Sequence, residues 1–76
     1  MADRILTSDE QAVLIAISEF ISANKYPPSI RELVAITGAK STSTVHARLK
    51  ALERKGYIET QTSASRAIRV LKDYHF

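Results

Sequence analysis

The chain has 76 residues, 45% of them hydrophobic and 25% charged, with a net charge of +3 and no cysteine. That length leaves room for one small domain, of the kind that buries roughly 60% of its unfolded surface, and the missing cysteines exclude disulfide staples and thiolate zinc sites. No apolar run approaches the roughly 18 residues of a membrane span, and Met1-Ala2-Asp3-Arg4 lacks the charged-then-apolar order of a signal peptide, so a cytoplasmic setting is expected.

Thr7-Ser8-Asp9-Glu10 places a hydroxyl three positions ahead of a carboxylate, the pattern of a capping box. It predicts a helix from about Ser8 to Ala23, whose Val13, Ala16, Ile17, Phe20 and Ile21 recur at helical spacing. Leu14 and Ile15 widen that stripe, so most of this helix is expected to be buried. Asn24-Lys25-Tyr26-Pro27-Pro28 is a break, because a residue before proline avoids helical angles. Ser29-Ile30-Arg31-Glu32 is another capping box and opens a short helix ending near Thr37-Gly38, with Ile30, Leu33, Val34 and Ile36 expected to face the core. A third helix is predicted from about Thr42 to Lys55, stopping at Gly56.

Beyond Gly56 the period changes from helical to alternating. Tyr57-Ile58-Glu59-Thr60 and Arg66-Ala67-Ile68-Arg69-Val70-Leu71 flank the polar turn Gln61–Ser65, and together they read as a β-hairpin. A lone hairpin is marginal in water, so its apolar side, with Ile58, Ile68 and Val70, must pack on the helices. The expected fold is therefore mainly α with a small β-hairpin, a winged helix-turn-helix. A single domain would span residues 1–76, with its core at about 5–71 and a frayed tail at 72–76.

Charge is unevenly spread along the chain. Residues 1–38 carry three basic and five acidic side chains, net −2, whereas residues 39–76 carry eight basic and three acidic, net +5. Such segregation suits a polyanion on one face. Advancing about 100° per residue along the third helix puts Leu49 and Leu52 within about 40° of Val45, forming a buried stripe. Ser43, Ala47, Lys50 and Arg54 fall within about 40° of the opposite side, with Thr44 and His46 on the flanks. No apolar side chain larger than alanine lies on that outer arc.

The arc's chemistry suits a DNA major groove. Ser43, Thr44 and His46 can exchange hydrogen bonds with base edges, and Ala47 permits close approach to a thymine methyl. Lys50 and Arg54 are placed for phosphates, as are Lys40 and the free N–H groups around Ser41 and Thr42 at the helix start. Arg66, beside the polar turn, is placed to reach a further phosphate, while Arg69 reads as a solvated strand residue. Catalysis has no constellation here. Ser43 and His46 lack a third group to orient the imidazole, and the arc is convex rather than a pocket. His46, His75 and the scattered carboxylates give no metal-ligand spacing, so neither an enzyme nor a metal or other cofactor is expected.

Several segments together carry a specific resemblance. They are Leu6-Thr7, Tyr26-Pro27-Pro28-Ser29-Ile30-Arg31-Glu32-Leu33, Gly38, Ser41-Thr42-Ser43-Thr44-Val45-His46, Leu49 to Ile58, and Ser65-Arg66-Ala67-Ile68-Arg69. The chain resembles, over about residues 5–71, the N-terminal DNA-binding domain of the LexA family, the bacterial repressors of the DNA-damage (SOS) response. Its Ser-Thr-Val-His segment is closer to the form seen in Gram-positive members. The resemblance implies base-facing roles for Ser41, Ser43, Thr44, His46 and Ala47. It also implies operator binding and repression in a bacterium, a phage or a mobile element. LexA proteins continue into a self-cleaving C-terminal domain that supplies most of the dimerisation. Neither property is expected of these 76 residues, so a second copy should join on a palindromic duplex rather than in solution.

A reading from another class is a protein-interaction module that pairs with a full-length repressor or other regulator. Losing the third-helix arc would separate the two, abolishing DNA binding but sparing a contact made through the first helix. RNA or single-strand binding fits less well, since the arc has no aromatic stacking platform.

Overall fold

Each helix begins where a side-chain oxygen meets the free N–H groups of its first turn. In the computed structural model, which describes residues 5–60 and 68–71, α1 spans Ser8–Asn24, α2 Ile30–Thr37 and α3 Thr42–Arg54. Thr7 Oγ1 accepts from the Glu10 N–H at 3.2 Å, and the Thr7 N–H donates to Glu10 Oε1 at 3.0 Å. Ser29 and Glu32 repeat the exchange at 3.2 and 2.8 Å. Both capping boxes are thus formed as the sequence predicts, each satisfying two orphan donors. Helix ends use left-handed residues: Lys25 (φ 68°) closes α1 and Gly38 (φ 71°) closes α2, their N–H groups donating to Ile21 and Val34 carbonyls.

The hairpin pairs β1 (Ile58–Thr60) with β2 (Ile68–Val70) in antiparallel register, Glu59 opposite Arg69. Ile58 and Ile68 point into the core and Val70 packs against it, as their alternation requires. Each pair of helices is in contact, and β1 leans on α3. The core runs from Leu6 through Val13, Leu14 and Ile17 of α1 to Leu33 of α2 and Val45, Leu49 and Leu52 of α3. Among the described residues no helix is long and apolar enough to cross a membrane.

Two sequence expectations need correction. Ile36 does not face the core; it is 52% exposed. The buried face of α2 is centred between Ile30, Leu33 and Val34, and Ile36 lies about 110° from that centre. Nor is most of α1 buried. Its buried positions are Glu10, Val13, Leu14, Ala16 and Ile17, while Ile15, Phe20 and Ile21 are only half-buried. Near the end of α1, Ile21 still packs against the core, while Phe20 meets Tyr26 edge-on at 5.5 Å. The expected polar turn at Gln61–Ser65, Arg66 with Ala67, and the tail from Lys72 lie outside the described residues.

Buried Glu10 was not read from the sequence as part of the core. Its Oε1 accepts from Lys55 Nζ at 2.6 Å, with both side chains 12% exposed. Lys55 Nζ also donates to the Ile5 carbonyl at 3.1 Å. One ammonium therefore joins the end of α3 to the start of α1.

Candidate nucleic-acid interface

Val45, Leu49 and Leu52 lock α3 against the other helices, which turns the opposite side of the helix outward. Ser43, His46, Ala47, Lys50 and Arg54 are all exposed on that side. Thr44 is half-buried at its flank. Lys40, Ser41 and Thr42, at the approach to the helix, are exposed. The first turn has no acidic residue, whereas Arg54 lies in the last turn, so the positive end of the helix dipole is left unopposed.

Ser41 is also the N-cap of α3, its Oγ accepting from the Thr44 N–H at 3.4 Å and lying 3.4 Å from Thr44 Oγ1. The Val45 N–H reaches the Ser41 carbonyl only at 3.5 Å. The Thr44 and Val45 N–H contacts are both at the long end of the hydrogen-bond range. At the other end, Glu53 Oε2 accepts from the Thr60 N–H (3.4 Å) and Oγ1 (3.2 Å), fastening α3 to β1. Arg69 is 78% exposed and 3.9 Å from Glu59, in keeping with a solvated strand position. Arg66, the remaining predicted phosphate contact, lies outside the described residues.

One basic residue of α3, Arg48, has a contact that the sequence does not foretell. Arg48 Nη2 donates to Asp9 Oδ2 at 3.0 Å, linking α3 to the first turn of α1. The partners are 39 positions apart, and no local spacing announces such a pair.

Three helices, the second and third joined by a tight glycine turn, and a hairpin beside the exposed α3 arc define a winged helix-turn-helix domain. Sequence comparison agrees with that architecture. The chain belongs to the LexA DNA binding domain family, whose model matches residues 3–67. It is 46% identical over 68 residues to the LexA repressor of Caldicellulosiruptor saccharolyticus, covering 90% of this chain and 34% of that protein. The LexA repressor of Moorella thermoacetica is 52% identical over 62 residues, 82% of this chain and 30% of that one. For Halalkalibacterium halodurans the identity is 46% over 66 residues, 87% and 32%. The chain thus spans about a third of the length of the curated relatives it matches.

Proposed function

We propose that the chain binds double-stranded DNA at a specific operator and represses transcription by occlusion, as a LexA-type regulator of DNA-damage genes. The observation that carries this is the α3 arc, where Ser43, His46 and Ala47 are exposed together ahead of Lys50 and Arg54. Polar side chains at the start of the helix would meet base edges in the major groove, and the cations behind them would hold the flanking phosphates. Ser41 and Thr44 complete the base-facing set, while Lys40, Thr42 and Arg66 add to the phosphate set. The hairpin would rest on the adjacent backbone. Membership of the LexA DNA binding domain family supports the reading, and so does the word repressor in the relatives' names.

A single module buries roughly 600–1,000 Å² on DNA, so one half-site binds weakly. The protein is then a monomer in solution, and a palindrome recruits two copies with half-sites one turn, roughly 10 base pairs, apart. Selection from a random duplex library tests this directly. The expected product is a palindromic consensus whose duplex forms a 2:1 complex with positive cooperativity, lost when five base pairs are inserted between half-sites. A library that yields no enriched sequence would refute specific recognition.

A further inference from the structure

Of the three basic side chains in α3, Arg48 alone stands off the outer arc, about 120° from its centre on the side of Thr44. Its single short bond to Asp9 joins a side chain 28% exposed to one 71% exposed. Asp9 and Arg48 line an open cleft of about 400 Å³ between the first turn of α1, the turn after α2, and α3. Lys40, Thr44 and Thr37 line the same cleft, and Lys40 forms no ion pair among the described residues. Two cations, Arg48 and Lys40, therefore share one opening with Thr44, and of these three Lys40 and Thr44 are assigned above to DNA. An exposed carboxylate occupies one of the two cations.

Resting on the DNA-binding reading above, we propose that Arg48 is a further phosphate-binding residue, which Asp9 holds in the free protein and yields to a backbone phosphate of the bound duplex. Three physical terms favour the exchange. An exposed ion pair closed by one hydrogen bond contributes little net stability in water. A guanidinium can place two parallel N–H groups on a phosphate, a stronger and more directional contact than the single bond it leaves. Neutralising a phosphate also releases condensed counterions, which neutralising Asp9 does not. Thr44 and Lys40 fix where the phosphate would lie, at the start of α3 and within the same cleft. Asp9 then lowers affinity for every duplex, because each binding event must displace it.

The test uses the intact chain, with log K measured against log salt on the selected site and on a random duplex. Arg48→Gln flattens the slope by about 0.9, the loss of one phosphate. Arg48→Lys keeps the slope. Asp9→Asn tightens binding to both duplexes several-fold without flattening the slope. The ¹⁵N guanidinium resonance of Arg48 shifts on adding duplex to the parent chain. A fixed brace between α1 and α3 gives the opposite pattern: Asp9→Asn weakens binding, and Arg48→Gln leaves the slope unchanged. That result overturns the exchange. Parent protein that binds no duplex would instead defeat the functional reading itself, so the two failures are distinguishable.

Discussion

His46 and Ser43 lie one turn apart on the exposed side of α3, with Ala47 adjoining His46 and adding no bulk between them and a base edge. His46→Ala and Ser43→Ala should each lower affinity for the selected site by roughly 1–3 kcal/mol and hardly change affinity for random duplex. Their melting curves should be nearly unchanged, because exposed positions contribute little burial. Equal losses on both duplexes would show that these side chains only support backbone contacts. Glu10 governs stability instead. Burial pushes its carboxyl up, but the Lys55 hydrogen bond, the Thr7 N–H and the charges of Lys55 and Arg54 outweigh this and hold it below the usual 4.5. A lowered folded-state pKa gives stability that is complete above the unfolded value and lost as pH falls through the folded one. Melting temperature should therefore decline below about pH 4.5, and Glu10→Gln should remove that part of the decline. At neutral pH the same change should destabilise the fold by about 1–3 kcal/mol, through loss of charge-assisted hydrogen bonds. The exposed arc could be read from the sequence, since a helical wheel needs only local spacing. The Asp9–Arg48 and Glu10–Lys55 pairs could not, because their partners are 39 and 45 positions apart.

The turn between α2 and α3 sets how the arc is presented. Gly38 holds φ at 71°, and a Cβ placed there would meet no atom within 4 Å. Gly38→Ala thus isolates backbone strain from crowding, and the left-handed conformation should destabilise the fold by about 1–2 kcal/mol. Urea midpoints on the parent and variant measure this. An unchanged midpoint would mean that the turn adapts. Helix starts were legible to the residue, since Thr7 with Glu10 and Ser29 with Glu32 act within four positions. Faces were less so. Ile36 has the same side chain as Ile30, yet only the latter packs against the core and is half-buried, and that depends on neighbours outside the helix.

Across the whole molecule, the basic second half presents Lys50 and Arg54 together on one exposed side because α3 turns its apolar stripe inward. If Lys40, Lys50, Arg54 and Arg66 neutralise about four phosphates, log K should fall with log salt at a slope of about −3.6. Exchange of Arg48 onto a further phosphate would steepen it by about 0.9. Lys50→Ala should weaken specific and random binding alike and flatten the slope by about one. A slope near zero on every duplex would contradict the electrostatic account. Element order and the helix-turn-helix frame followed from the two capping boxes, the Pro27-Pro28 break, the glycine stops and the hydrophobic period. How α1 closes over the end of α3 did not, because it rests on burying a charged pair that composition marks as surface.

The Lys55 ammonium, described above as a join between the end of α3 and the start of α1, also has a kinetic meaning. It reaches back 50 positions to Ile5 and 45 to Glu10, across most of the chain. Contacts of such sequence separation close large loops, and that entropy is recovered only once intervening helices have docked. The clasp should thus form on the native side of the folding barrier and act chiefly on the rate of opening. Lys55→Met should speed unfolding in stopped-flow chevrons while leaving the refolding limb almost unmoved. Equal effects on both limbs would place the clasp in the nucleus. The same ammonium that ties α3 to α1 would therefore set how long the folded chain lasts between openings.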